Sequence, residues 1–211
     1  MKHEIMNVRN PFNAPVFHVR ETVSTMAEAR LLFAQGEADG TTIYADYQSS
    51  GRGRIDGREW SSSPGESLLC TTFLRGQPVR GLTLRVGLAL ALTFDAFLSP
   101  PSRTQIKWPN DVLFQGKKLG GILCENDGSA VYIGTGLNIA QTSFPEELAL
   151  KASSLALIAS GGTSIPVPLP SIEQVLERYL QNLLRMFFLR IRVPLRARFH
   201  RSCSRIWSVS M

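Results

Sequence analysis

The stretch QIKWPNDVLFQGKKLGGILCEN, residues 105–126, reads as short strands folded around two turns, one at 109–111 and one at Gly116. Proline, asparagine and aspartate in succession favour a reversal, and glycine allows the next one without steric cost. AVYIGTGLNI, residues 130–139, then reads as another strand closing on a glycine turn.

Upstream, VFHVRE at 16–21 has the β-branched character of a strand. STMAEARLLFAQGEADG reads as a helix, with Ser24 or Thr25 as N-cap, Met26, Ala29, Leu32 and Phe33 at helical spacing, and Gly36 as stop. TTIYADYQ at 41–48 and SLLCTTFL at 67–74 add two strands. Residues 82–98 predict a buried helix ending before Pro100 and Pro101. Residues 171–189 predict a closing helix whose apolar positions are Ile172, Val175, Leu176, Tyr179, Leu180, Leu183 and Leu184. The pattern is α+β: one mixed or antiparallel β-sheet with helices packed against it. No internal repeat is present, and GGTSIPVPLPS at 161–171 reads as a surface loop. The organisation expected is a body over 1–189 and a basic tail over 190–211.

The chain has 211 residues, 44% of them hydrophobic, enough for one well-buried domain. Its net charge of +6 suggests a nucleic-acid partner until the charge is located. Six arginines lie between 190 and 205 with no acidic residue after them, which leaves 17 basic and 17 acidic residues in 1–189. The body is neutral, so the overall basicity says little about its partner. The longest apolar run, 86–94, is far short of the roughly 20 residues a membrane span needs. The N-terminus has no apolar segment of signal-peptide type, and Cys70, Cys124 and Cys203 have no paired or metal-like spacing. These features predict a soluble cytoplasmic protein with no membrane partner.

Three clusters carry chemistry. GRGRIDGREW, residues 51–60, packs three arginines, three glycines and a tryptophan into ten positions. Glycine lets backbone N–H groups approach a ligand, and arginine offers a planar fork matched to carboxylate or phosphate oxygens. The bland alternative is a solvated basic turn. In the second cluster, Lys107, Asn110, Asp111, Lys117 and Lys118 put cations, an amide and a carboxylate around one turn. That equipment suits the joining of two anions, where cations must offset repulsion and charge developing on a phosphate. Asn110 and Asp111 also serve simply as turn formers. The third, GTGLN at 134–138, permits close backbone approach, and Asn138 is placed to hydrogen-bond a ligand; alone it reads equally as a glycine-rich strand end. Trp60 reads as core or as a stacking platform.

Taken in order, these pieces resemble biotin protein ligases. Ser24-Thr25 opens the first helix, followed by YQSSGRGR at 47–54, GREW at 57–60, KWPNDV at 107–112, KKLGGIL at 117–123 and GTGLN. The likeness spans about 17–140. One departure is an extra residue between GRGR and the next Gly-Arg compared with many members. The resemblance implies an ATP-dependent ligase, cytoplasmic, that forms biotinyl-5′-AMP from biotin and MgATP and then transfers biotin to a lysine of a biotin carboxyl carrier domain. By position, Ser24, Thr25 and Gln48 would hold the ureido ring. Arg52, Gly53 and Arg54 would close over biotin and the adenylate phosphate, beside Gly120 and Gly121. Lys118 would hold the carboxylate, and Lys107 and Arg58 the triphosphate. Trp60, Asn110 and Asn138 would help seat the nucleotide, and Asp111 would orient the acceptor lysine or hold Mg2+. Arg54, Lys107, Asp111 and Lys118 are the expected catalytic groups.

The resemblance also implies two absences. The first expected strand begins near Phe17, leaving no room for the N-terminal winged helix of many relatives, so no sequence-specific DNA binding is expected. The arginine-rich tail does not resemble the small C-terminal β-barrel most members carry. A homodimer is compatible with the resemblance. Alternatives are a lipoate-type ligase of the same fold, a truncated non-catalytic binder of biotin or its adenylate, and a nucleic-acid module using the tail.

Overall fold

A computed structural model of the chain describes residues 3–54, 60, 62–98, 103–161, 169–188 and 206–208. One nine-stranded sheet runs through it in the order β1-β2-β3-β4-β8-β7-β6-β5-β9. The strands are β1 (Glu4–Ile5), β2 (Val16–Thr22), β3 (Thr42–Gln48), β4 (Ser67–Arg75), β5 (Gln105–Lys107), β6 (Asp111–Phe114), β7 (Lys117–Asn126), β8 (Ala130–Asn138) and β9 (Ile206–Ser208). Among the described strands only β2 and β3 pair in parallel. Helix α1 (Thr25–Ala34) supplies the crossover that this pair requires. The expected mixed sheet with packed helices is therefore the fold.

Each face of the sheet carries its own core. On one, Met26, Ala29 and Leu32 of α1 pack on Phe17, Val19, Ile43, Ala45, Phe73 and Tyr132. On the other, α2 (Leu82–Asp95) and α5 (Ile172–Phe188) bury Val86, Leu90 and Phe94 with Val175, Leu176, Tyr179, Leu180 and Leu183. Strand alternation distributes the residues: Leu68 and Cys70 of β4 face α2 and α5, and Phe73 faces α1. The two helices of the far layer are also tied by Asn182 Nδ2, which donates to Thr93 Oγ1 at 3.1 Å.

Local chemistry sets the element ends. Ser24 is extended, at φ −165°, and its Oγ accepts from the Met26 N–H as the N-cap of α1. Gly36 follows that helix at φ 88°, a conformation glycine adopts without strain. Helix α2 stops at Asp95, three residues before the expected end. There the Asp95 carboxylate accepts from the Thr104 N–H and hydroxyl at 2.8 and 3.0 Å, turning the chain towards β5. Pro100 and Pro101, offered as the stop, lie outside the described residues.

Four described elements went unread in the sequence, the first being β1, which pairs antiparallel with β2 ahead of the first expected strand. Helices α3 (Glu146–Ala149) and α4 (Leu155–Ser160) fill the connection after β8, the second capped by Ser154 Oγ, which accepts from the Leu157 N–H. Strand β9 pairs antiparallel with β5. A segment of the tail thus covers what would otherwise be a sheet edge. The loop at 161–171 lies mostly outside the described residues. Among the described residues no helix is long and apolar enough to cross a membrane.

Two outcomes test this packing. Leu180 is fully buried, so Leu180→Ala will lower unfolding free energy by about 3 kcal/mol in denaturant titration. Burial also pushes the thiols of Cys70 and Cys124 up to about 12. In a Cys203→Ser background both will resist a thiol reagent at pH 8 until the chain unfolds, because only about one in ten thousand is ionised.

Candidate active site

A cleft of about 220 Å³ opens between the N-terminus of α1, the end of β3, the loop that follows it and the middles of β4, β7 and β8. Its closed end is polar and satisfied. Thr25 N–H and Oγ1 both donate to Gln48 Oε1, at 2.7 and 2.9 Å, and Thr25 Oγ1 lies 2.9 Å from Thr71 Oγ1. Because the Gln48 oxygen is used twice inside the protein, its NH₂ is the group offered to a ligand. The helix start is braced from behind: Thr22 Oγ1 donates to Glu28 Oε1 at 2.7 Å, and His3 Nε2 sits 2.8 Å from Glu28 Oε2. Thr71 and Glu28 were not singled out in the sequence. A lone threonine in a strand and a glutamate in a helix's first turn give no signal until the fold brings them to the Ser24-Thr25 pair.

The mouth is cationic. Arg52, Gly53 and Arg54 line it, both arginines exposed. The base of their loop is pinned where Trp60 N–H donates to the Gly51 carbonyl at 2.8 Å. A side chain at Gly51 would meet the Gln48 amide and the Trp60 carbonyl at 3.0 Å, so a larger residue there would crowd both. Arg58 lies outside the described residues.

The floor is made of glycines. Gly121 of β7 and Gly136 of β8 are register partners, and the Trp60 ring lies across both. A Cβ on Gly136 would meet Trp60 Cε2 at 2.6 Å; one on Gly121 would meet Cζ3 at 2.9 Å. Among the described residues the covered Trp60 Nε1–H finds no acceptor. A buried donor without a partner is uncommon in a finished site and points to a ligand or water that supplies one.

Lys118 reaches this floor because of a β-bulge. Val112 pairs with Gly120, yet Leu113 pairs with Lys118, so Leu119 is an extra residue in β7. Leu119 and Gly120 both turn towards α2, Gly120 against Phe94, while Lys118 Nζ lies on the same side as Gly121. In an uninterrupted strand 119 and 121 would share that face. Lys118 Nζ pairs with Asp111 Oδ1 at 2.7 Å and stands 5.3 Å from the centre of the Trp60 ring. Asn110 also lines the cleft, and its carbonyl accepts from the Ile122 N–H at 2.9 Å.

Four expected positions stand apart. Lys107 ends β5 opposite Asp111 and does not line the cleft. Asp111 is absent from the cleft wall and pairs with Lys118 beside it. Gly120 faces Phe94. Asn138 is buried, with Nδ2 donating to the Ser153 and Lys118 carbonyls at 3.0 and 3.4 Å. Conversely Arg30, unread before, lines the outer wall, where it bridges to Glu125 at 2.7 Å and to Asp127 at 3.1 Å.

Residues 16–138 match the biotin/lipoate A/B protein ligase family. A biotin–[acetyl-CoA-carboxylase] ligase of Mycobacterium tuberculosis is 35% identical over 172 residues, 78% of this chain and 61% of that protein. The ligase of the same name from Paracoccus denitrificans is 43% identical over 129 residues, 56% of this chain and 52% of its own. The chain thus spans less than two thirds of these relatives' length. Among solved structures, the Aquifex aeolicus biotin protein ligase in complex with biotin and ATP superposes with a TM-score of 0.67 at 30% identity, covering 81% of this chain and 69% of that one. The Leishmania major biotin protein ligase in complex with biotinyl-5-AMP gives 0.67 at 27% identity, over 80% and 72%.

The glycine floor makes a prediction independent of any reaction. In a Trp108→Phe, Trp207→Phe background, Gly136→Ala will displace Trp60 and shift its emission towards that of a solvated indole, with far-UV circular dichroism unchanged. An unmoved spectrum would show that the ring does not rest there.

Proposed function

The chain belongs to the biotin/lipoate A/B protein ligase family, and from that premise we propose that it activates biotin with ATP and transfers it to a lysine of a biotin carboxyl carrier domain. The observation that carries the reading is the polarity of one cleft, with neutral hydrogen-bonding groups at the closed end and Lys118, Arg52 and Arg54 towards the mouth. A ureido ring needs buried neutral partners, and Ser24, Thr25 and Gln48 are of that kind. The carboxylate of the same ligand would then meet Lys118.

In the first step a carboxylate oxygen attacks the α-phosphorus of ATP. The bond to the bridging oxygen breaks, and pyrophosphate leaves. Two anions must approach, so the ground-state repulsion and the charge on the α-phosphoryl oxygens are the barrier. Lys118, Arg52 and Arg54 would offset both, with Lys107 and Arg58 serving the departing phosphates. In the second step the neutral amine of the carrier lysine attacks the acyl carbonyl and AMP leaves, with Asp111 placed to orient that amine. Trp60 offers a face for adenine, and Asn110 lies beside it on the cleft wall. Gly121 lets β7 run close to the ligand.

Magnesium would enter with the nucleotide and neutralise its phosphates. Among the described residues no group of three or more His, Cys, Asp or Glu could hold an ion alone. Asp111 is the acidic side chain nearest Lys118, and a single carboxylate together with phosphate oxygens suits magnesium. We assign the catalytic unit to 1–189, with 190–211 as a basic tail, and place the protein in the cytoplasm.

Transfer of labelled biotin to a purified carrier domain, with ATP and magnesium, tests the reading. The wild type will transfer, and Lys118→Ala or Arg54→Gly will slow adenylate formation about a hundredfold or more without unfolding the domain. A folded wild type that binds biotin and transfers none would instead be a non-catalytic binder, and unchanged kinetics in both variants would remove the site assignment.

A further inference from the structure

Beyond Trp60 the floor of the cleft has one more gap, and a methionine fills it. Alternation along β8 turns Tyr132, Gly134 and Gly136 towards α1. Trp60 covers Gly136, and Tyr132 fills its own row beside its partner Phe73 in the core under the helix. Gly134 stands between them, flanked across the sheet by Thr71 and Leu123. Here Met26 Cε lies 2.9 Å from where a Cβ would stand. Thr71 Oγ1, itself 2.9 Å from Thr25 Oγ1, is 3.7 Å from the same point. Met26 is only 9% exposed, yet it lines the cleft. Its backbone is held at the start of α1, where its N–H donates to Ser24 Oγ at 3.2 Å. The thioether methyl therefore occupies the last space between the threonine hydroxyls of the closed end and the aromatic wall behind them. Read in the sequence, Met26 was only one more apolar position of an amphipathic helix.

We propose that Met26 is the specificity-determining residue of the closed end: seated over Gly134, its methyl group excludes ligand heads that carry a further substituent beside Thr25 and Thr71. The proposal rests on the closed end receiving the ureido ring in the reaction above. Hydroxyls and an amide select the hydrogen-bonding groups of a head, but they set no limit on its size. An apolar stop does, and rejecting one extra methyl group in this way is worth about tenfold or more. Methionine suits the task because it is unbranched and its terminal carbon reaches a gap that a shorter side chain would leave open.

The test compares biotin with its two N-methyl derivatives, each carrying one methyl on a ureido nitrogen, by calorimetry on the full chain. The wild type will bind biotin and reject both derivatives. Met26→Ala will narrow the gap between biotin and at least one derivative about tenfold. The N–H lost by methylation is lost to wild type and variant alike, so the change in the gap reports room alone. Gly134→Ala, whose Cβ would drive the methionine methyl into the cleft, will weaken biotin binding about tenfold. Adding Met26→Ala will restore most of that loss, because one methyl takes the place of the other. An unchanged gap in a Met26→Ala protein that still binds biotin would leave Met26 a core residue only and overturn the proposal. So would a Gly134→Ala loss that Met26→Ala does not relieve, since the Leu123 carbonyl, 3.2 Å from the same point, would then be the obstacle. A folded wild type that binds no biotin would remove the ureido assignment itself, and the size limit with it. Should Met26→Ala fail to fold, Met26→Val, which also withdraws the terminal methyl, carries the same expectation.

Discussion

Two facing glycines set the geometry of the site. Gly121 and Gly136 are partners on adjacent strands, so the sheet has a patch with no Cβ atoms in the middle of its most heavily paired region. An indole lies flat on that patch, within distances that no alanine would permit. The depth of the cleft follows from it, since side chains there would fill the space where a ligand and Trp60 must both fit. The cost is that a patch lacking side chains has little to pack on it. At this patch stability must come from the other face.

That face is where the apolar residues are concentrated. Beneath Gly120 lies Phe94 of α2, and beneath Thr135 lie Cys70 and the helix α5 layer. Tyr179 is fully buried in it, its hydroxyl held in the neutral form by desolvation. Strand alternation thus separates two tasks residue by residue, packing and access falling on successive residues: Gly120 packs and Gly121 opens on β7, Thr135 packs and Gly136 opens on β8. The bulge at Leu119 breaks that alternation, and there a lysine changes sides.

The sequence made the frame legible because the frame obeys local rules. Turn residues at 109–111 and Gly116, a serine N-cap before α1, and the periodic apolar face of α5 each announce themselves within a few positions. Ser24, Thr25, Gln48, Arg52, Gly53, Arg54, Trp60, Asn110, Lys118 and Gly121 could be read together because family-like motifs name them, and they do line one cleft. What escaped depends on distance along the chain. Thr71 meets Thr25 across 46 residues, Glu125 meets Arg30 across 95, and Ser67 meets Gln141 across 74. None belongs to a motif, and each acquires meaning only when strands pair. Asn138 shows the opposite limit: its motif is conspicuous, yet burial and hydrogen bonding direct its amide inward.

The distribution of charge inside the cleft gives a ligand a direction. The net charge of the body says nothing about this, since basic and acidic residues balance over 1–189. Locally, Arg30 is matched by Glu125 and Asp127 on the outer wall, and Lys118 by Asp111. Arg52 and Arg54 stand exposed at the mouth. An anionic group therefore gains most near the opening, whereas the closed end, with its threonine hydroxyls and glutamine amide, rewards a neutral polar group that can satisfy them. A molecule with a neutral head and a carboxylate tail enters head first and leaves its reactive end at the surface. Chemistry that must join that carboxylate to a phosphate, and then present the product to the side chain of another protein, needs this orientation. The opposite one would bury the mixed anhydride where no acceptor lysine could reach it.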